Sequence, residues 1–573
     1  MASCSASLIV AAFDIGTTFS GYAYSTNNDP RNVCTNQTWI AGGRSLVSLK
    51  TPTCVLLDPN GKFHSFGYEA ENHYASLAED ENHYEWYYFR RFKMMLQDDK
   101  DLTKETMLEE INGKDMKAIK IFSYSIKFLK DHLMRLLQNR LPDITEEDIQ
   151  FVLTVPAIWN DRAKQFMRDA ANKAGIENNK LVIALEPEAA SIWCQGIETE
   201  VTRGSKGARV NISAAGTQYM IVDIGGGTAD ITVHEKQRDK SLKEIKQPSG
   251  GSWGGTEVDN TFLEFLASVV SDEVLRTFQK QQMADYLDIL REFETKKRSI
   301  GTTISGKILI KMPLSLKEIF EEYGKDLASV KEHFGNKVDW KGDKMRIDAE
   351  VIKNMFSTTV QKLVYHVKRI LSSRELRNVK SIVLVGGFAE SPFVQETFKE
   401  TFGEKNRLII PDDCGMAVLK GAVVFGHNPR SVSSRIARYT YGIELIVPFD
   451  KNIHPAKYLL EHDDGDFCLF GFWKAIVVGT SISPGQKVSR IGRPINDYQA
   501  HMNYGIYRSS QRNPVLVKDA DCEKIGEIDM ELDSSKISID NTFDQTFIFG
   551  DTEIKFCTTN PNTEEEVQLY LDY

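Results

Sequence analysis

Two apolar runs in this chain end in the same way. Leu8–Phe13 leads into Asp14-Ile15-Gly16-Thr17-Thr18, and Tyr219–Val222 leads into Asp223-Ile224-Gly225-Gly226-Gly227-Thr228-Ala229-Asp230. Short continuous apolar runs bounded by turn residues predict buried strands. A second strand-like run follows each, so both motifs read as hairpins with an aspartate at the same place. Further buried strands are predicted at Phe151–Val155, Leu181–Leu185 and Ile382–Val385. Over 118–139 the spacing turns helical, with Phe122, Ile126, Leu129, Leu133 and Leu137 on one face and Pro142 as the stop. Asn160-Asp161 is placed to cap a helix whose apolar face is Ala163, Phe166, Met167, Ala170 and Ala174, ended by Gly175. Helices are also expected at about 259–280, 283–299 and 349–373, after Ser391-Pro392, and over Ala417–Gly426. Residues 198–217 are polar, without periodicity, and read as an exposed loop.

After about Asn428 the pattern changes. Arg430–Arg438 reads as a Ser/Arg linker, and short β-prone runs follow at Tyr441–Val447, Phe467–Trp473, Ala475–Val478, Ile506–Tyr507, Val515–Lys518, Phe543–Phe549 and Val567–Leu571. This predicts an all-β region with no long terminal helix. The chain therefore divides into a first lobe at 1–218, a second at 219–428, and a β-rich domain at 429–573. The helix near 415–427 is expected to return to the first lobe.

Composition narrows the function. A chain of 573 residues exceeds a single core. A net charge of −10 argues against a dedicated nucleic-acid binder, which shows a basic domain or stripe. No apolar run reaches the roughly 20 residues of a membrane span. Leu8–Phe13 lacks the basic segment of a secretion signal and runs straight into the Asp14 turn. The 8 cysteines form no C-x-x-C pair, which fits reduced thiols and a cytoplasmic location. The sequons at Asn36 and Asn211 would then escape glycosylation.

The chemistry gathers at the paired turns. Glycine lets the backbone turn tightly and approach a ligand, and successive N–H groups there form an anion-binding concavity. Thr17, Thr18 and Thr228 add hydroxyls, and Asp14, Asp223 and Asp230 can hold a hydrated magnesium ion. Two ordinary hairpins are the alternative, and the recurrence weighs against them. Ser249–Glu257 is glycine-rich but lacks the lysine of a P-loop, leaving a phosphate-covering loop or plain turn chemistry. Glu186 follows a strand, as a cleft carboxylate or a helix cap. The tract Tyr87–Lys93 offers a cation to a phosphate, or a solvated basic patch. Gly386-Gly387 ends a strand, where a flat ring can lie against bare backbone.

Asp14-Ile15-Gly16-Thr17-Thr18, Val155-Pro156-Ala157 with Asn160-Asp161, Glu186-Pro187-Glu188-Ala189-Ala190, Asp223–Thr228, Gly254-Gly255 and Val385-Gly386-Gly387 stand in this order over roughly residues 8–427. That ordered set resembles the 70-kDa heat-shock protein (Hsp70) family, and Tyr88–Lys93 is most similar to its divergent member-12 branch. The resemblance implies an α/β, two-lobed actin/hexokinase-like (ribonuclease H-like) ATPase fold with a C-terminal all-β domain. It implies ATP or ADP with Mg2+ as cofactors. Asp14 and Asp223 would face the magnesium through its waters. Gly16, Thr17, Thr18, Gly225, Gly226, Gly227, Gly254 and Gly255 would surround the phosphates, with Thr228 near the γ-phosphate. Glu186 and Asp230 would position the attacking water. The family's catalytic lysine aligns best with Arg90, with Lys93 one helical turn on as the other candidate. Glu294, Lys297 and Arg298 would hold adenosine, with Gly386 and Gly387 beneath the ring. The chain departs from the family at Phe388, Glu390, Gly301 and Gly415, and it lacks the Asp-Leu-Leu-Leu linker, a helical lid and an acidic tail.

Three functions follow from these readings. The first is a slow Mg-dependent ATPase coupled to protein or peptide clients and co-chaperones. The second is a nucleotide-binding scaffold or signalling regulator with little or no ATPase cycle. The third, a small-molecule kinase on the same fold, fits the motif set less well, since fold alone does not define function.

Overall fold

The computed structural model describes residues 7–36, 39–40, 47–97, 101–196, 212–462, 465–494, 497–533, 535, 537–549, 553–559 and 566–572. Asn211, Cys4 and most of the expected 198–217 loop lie outside the described residues. Asn36 is buried, and the other cysteines are free thiols. The chain divides into two units, one of residues 1–159, 166–232 and 248–428, the other of residues 160–165, 233–247 and 429–573.

In the first unit, all seven positions of the strand Ile9–Ile15 are buried, so it lies inside its sheet. It pairs antiparallel with Phe19–Thr26 and parallel with Ile149–Val155, which pairs parallel with Leu181–Leu185. Strands buried on both faces read as continuous apolar runs, which is why these were visible in the sequence. A second sheet runs in the order Arg407–Ile409, Ser381–Val385, Gln218–Ile224, Ala229–Lys236. Its Ser381–Val385 strand pairs parallel with Gln218–Ile224, setting Val385 opposite Asp223. The helix Ala417–His427 crosses Glu186–Cys194 closely: a Cβ on Gly421 would meet the Ala189 carbonyl oxygen at 1.8 Å.

Most predicted helices form, at Ala118–Gln138, Asp161–Lys173, Met283–Lys297 and Ala349–Leu371. The single helix expected at 259–280 is two, Gly255–Val270 and Asp272–Gln281. Ser271 adopts φ 84° and its side chain accepts from Val274 N, so it caps a new helix rather than continuing the old one. Asn160, not Asp161, caps the helix that follows, its Oδ1 accepting from Ala163 N at 2.9 Å. Residues 307–348 hold a three-stranded sheet and two short helices.

In the second unit, every regular element described after Val432 is a strand apart from the 3-10 turn Ala456–Tyr458. The expected linker is not free: Val432–Ile436 pairs with Leu242-Lys243 on one side and Ser481-Ile482 on the other. Val432, Ser434 and Arg435 are buried in it, a pattern that Ser/Arg composition conceals. Val515–Lys518 is not a strand, since only Leu516 bridges Gly471. Gln486–Gly492 and Cys522–Glu531 are strands that the search for apolar runs missed, because polar residues interrupt the apolar positions of each. The core joins Tyr441, Ile443, Ile506, Ile528, Phe543, Phe547 and Phe556. Beside it Arg508 donates to Asp161 Oδ2 at 2.5 Å and to Glu523 Oε2 at 2.7 Å, and lies 4.6 Å over the Tyr439 ring. Burial raises the Asp161 carboxyl, and Arg508 opposes that shift.

Removing one partner of a buried pair strands the other charge. Arg508→Met is expected to destabilise the second unit by about 3–5 kcal/mol, read as a lowered urea midpoint. A change below about 1 kcal/mol, the range of an exposed pair, would show that the pair carries no structural weight.

Candidate functional site

The two Asp-Ile-Gly turns face each other at van der Waals range. A Cβ on Gly226 would lie 2.5 Å from Thr18 Oγ1, and one on Gly227 2.5 Å from Thr17 Oγ1. Only glycine fits this approach, and it leaves bare backbone beside two hydroxyls. Gly225 N donates to Thr228 O at 2.8 Å, closing the second turn. Gly254, Gly255 and Thr256 then donate their N–H groups to the carbonyls of Gly227, Gly225 and Gly226, so the helix Gly255–Val270 starts against that turn. These glycines therefore brace the second turn, and Gly255 also lines the cleft.

The cavity between the turns has a volume of about 570 Å³, within the range of small-molecule sites. Asp14, Gly16, Thr17, Thr18, Glu186, Asp223, Gly225–Gly227, Thr228, Glu294, Lys297, Arg298, Gly386 and Gly387 all line it. A larger groove of about 800 Å³, at Phe63, Tyr124 and Phe128, has no facing turns and no buried acid cluster.

Each acid is delivered by a strand. Register sets Phe13 against Leu153, so Thr154 reaches Asp14, its hydroxyl donating to Oδ1 at 2.9 Å. Lys50 Nζ takes Asp14 Oδ2 at 2.7 Å. Burial raises the Asp14 carboxyl, but Lys50, Lys93 and the two hydrogen bonds outweigh it and leave it below the usual range. Asp223 has no ion pair among the described residues. Burial and the charges of Glu186, Asp230 and Asp14 push its carboxyl well up, with Lys50 opposing. Gly386, at φ 94°, fits beside it: a Cβ there would be 2.3 Å from Asp223 Oδ1. Asp230 accepts from Ile158 N at 2.9 Å and does not line the cavity, so its charge acts through its neighbours.

The tract Tyr87–Lys93 resolves into a strand and a turn. Arg90 ends the strand Tyr87–Arg90, half-buried and outside the cavity lining, with its charge acting on Glu71. Arg91 adopts a left-handed conformation at φ 54°, and Lys93 follows in the 3-10 turn Phe92–Leu96. The Phe92 ring meets Phe122 edge-on at 5.0 Å and anchors that turn. Lys93 Nζ thus reaches Glu186 Oε1 at 2.7 Å, and of the two cations it alone enters the cleft. Arg90, the position the resemblance favours, is not among the residues lining the cavity. Burial raises the Glu186 carboxyl to about 7, with Lys93 opposing and Asp14 and Asp230 adding to the rise.

At the far end, Lys297 Nζ donates to Asp259 Oδ1 at 2.6 Å, to Gly255 O at 3.3 Å and pairs with Glu294 Oε2 at 2.6 Å. An ammonium has three donors, so Lys297 is fully used as a brace. Arg91 takes the other Asp259 oxygen at 2.6 Å. Arg298 pairs with Glu294 at 3.0 Å and lies 5.2 Å over the Phe19 ring, still largely exposed. The departures have spatial causes. A Cβ on Gly415 would lie 2.3 Å from Glu390 Oε1, and one on Gly301 2.9 Å from Glu396 Oε2, so those carboxylates occupy the room that side chains would need. Phe388 is buried, stacks on Phe356 and also lines the cleft. Ser391 Oγ is buried in the same wall without a hydrogen-bond partner among the described residues.

Sequence reasoning missed Lys50, Thr154, Asp259 and Ser391. Ser391 was read only as a helix start, and no local pattern marks the other three.

Among the described residues no three His, Cys, Asp or Glu side chains converge to ligate a metal directly. Magnesium keeps several of its waters, and two opposed carboxylates, one without a counter-ion, fit such a hydrated cation.

A family model described as Hsp70 protein matches residues 10–436. The chain belongs to that family, whose fold is the actin-like two-lobed ATPase fold. It is 33% identical to heat shock 70 kDa protein 12B of Homo sapiens over 99% of this chain and 91% of that protein. It is also 33% identical to heat shock 70 kDa protein 12A of Mus musculus, with the same coverage. A mitochondrial-type heat shock protein 70 of Encephalitozoon hellem is 25% identical over 59% of this chain and 50% of its own length. The similarity to the member-12 relatives thus extends past residue 436, where the family model stops. No described helix is long and apolar enough to cross a membrane.

The raised Glu186 carboxyl sets a pH dependence. Its folded value of about 7 exceeds its ordinary 4.5, so the folded state binds more protons between the two. Stability from this group is complete below about 4.5 and is lost as pH rises towards 7. Denaturant midpoints of the nucleotide-free protein should therefore fall with pH in this window relative to Glu186→Gln. Parallel profiles for the two proteins would remove the shift.

Proposed function

We propose that the cleft binds ATP and ADP with magnesium and hydrolyses ATP slowly, and that the β-rich residues after 429 bind protein or peptide clients. The observation that carries the reading is the buried Lys93–Glu186 pair, 2.7 Å apart, beside the opposed Asp14 and Asp223 turns. Phosphoryl transfer to water needs positioning, charge neutralisation and an oriented nucleophile. Thr17, Thr18, Thr228 and the N–H groups of Gly225–Gly227 serve the phosphates. Asp14 and Asp223 hold the hydrated magnesium, which neutralises phosphate charge when bound. A base works best when its pKa lies near the working pH, and Glu186 at about 7 meets that condition for orienting and deprotonating water. Lys93 neutralises charge developing on the transferred group, and Asp230 keeps the Glu186 carboxyl high. Arg298, Gly386, Gly387 and Phe388 form the base end, while Glu294 and Lys297 stiffen it. In domain terms, 1–218 and 219–428 are the two ATPase lobes and 429–573 the client or partner domain.

The second reading, a nucleotide-binding scaffold or regulator with little turnover, is favoured by one feature. The segment expected to be a free linker is a strand paired on both sides. Coupling requires a contact that differs between two states, and a segment held in a sheet has fewer ways to supply one.

Phosphate release at saturating ATP separates the readings. Asp223→Asn should abolish release, and Lys93→Ala should lower kcat by about 10²–10³-fold, the usual cost of removing one electrostatic stabiliser. Arg90→Ala should stay within about twofold, far below that cost. Tight nucleotide binding without release in the wild type selects the scaffold. Peptide-array affinities that are equal with ATP and ADP would sink the coupled cycle.

A further inference from the structure

Lys50 belongs to no motif in the chain, yet its ammonium stands at the centre of the cleft. Nζ donates to Asp14 Oδ2 at 2.7 Å, and the side chain keeps 19% of its exposure. Its backbone is tied to the first turn. Thr51-Pro52 pairs with Phe19-Ser20, Thr53 N donates to Thr18 O at 2.9 Å, and Thr53 Oγ1 donates to Gly16 O at 2.7 Å. The stem passes over Gly21, where a Cβ would come within 3.1 Å of Lys50 Cγ. The charge is thus fixed at its root and held at its tip by one carboxylate, in the same cavity as Thr17, Thr18 and the Gly225–Gly227 turn. Burial disfavours the ammonium, but Asp14, then Asp223 and Glu186, hold it charged above the ordinary lysine range.

A phosphate chain entering this cavity meets buried carboxylates that repel it. A divalent cation removes that repulsion when recruited from solution. Lys50 can supply charge without recruitment, as a compact ammonium on a flexible stem. Its hydrogen bonds to phosphate would be charge-assisted, as its present bond to Asp14 is. We propose that Lys50 is a built-in counter-ion for the phosphates of the bound nucleotide, so that nucleotide binding by this chain persists when divalent metal is withdrawn. In the empty cleft Asp14 parks the ammonium. When phosphate arrives, Lys50 turns to it and Asp14 is released to a water of hydrated magnesium. The inference rests on the nucleotide reading of the cleft.

The test is equilibrium binding of a fluorescent ADP analogue to the full chain, in excess magnesium and in excess EDTA. The wild type should bind within about tenfold in the two conditions, or about 1.4 kcal/mol. Lys50→Met should lose about a hundredfold in EDTA and less than about tenfold in magnesium, while Lys50→Arg tracks the wild type. Thermal unfolding of each variant reports its folding, and the wild-type comparison needs no variant at all. Magnesium-dependent binding that EDTA abolishes in the wild type overturns the inference and leaves the nucleotide reading intact. Equal EDTA affinities for the wild type and a folded Lys50→Met also overturn it. Absence of binding in both conditions overturns the nucleotide reading and the inference together.

Discussion

The cleft depends on bringing carboxylates out of water within reach of one another. Asp14, Glu186 and Asp223 are all buried, and their mutual repulsion opposes the folded state. Two lysines offset part of it, Lys50 on Asp14 and Lys93 on Glu186. Asp223 has neither, and its high carboxyl records what remains uncompensated. Acids buried so close together are costly, and such clusters of shifted groups gather at functional sites.

The second constraint is steric. Thr17 and Thr18 reach Gly226 and Gly227 closely enough that any side chain there would collide with them. The same absence of Cβ atoms recurs at Gly386, beside Asp223. The glycines thus set how near the two turns come, and with that how strongly the acids interact. The far end of the cleft is built differently. Lys297, Asp259, Arg91 and Glu294 form a chain of ion pairs that stiffens the wall, and Arg298, Phe388 and Ser391 line the cavity beside it.

Much of this was legible in advance. The strands carrying Asp14 and Asp223 are continuous apolar runs because both faces are covered, and the glycine turns follow them directly. Helix Ala118–Gln138 shows its spacing because one face packs and the other is wet. Strands such as Cys522–Glu531 escaped because they alternate and carry charge on the open face. The buried strand at Val432–Ile436 was hidden by serine and arginine, whose burial depends on neighbours distant in the chain.

The sequence by itself determined the family, the paired glycine turns and the acids that precede them, because each motif is a strand and the few residues that follow it. Tertiary structure decided the cations. A left-handed Arg91 sends Lys93 into the cleft and keeps Arg90 out. Lys50 meets Asp14 across 36 positions, and Thr154 meets it across 140. Such pairings follow from strand register and chain path rather than from local spacing. A sequence motif therefore marks the charges that need a partner, while the fold selects the partners.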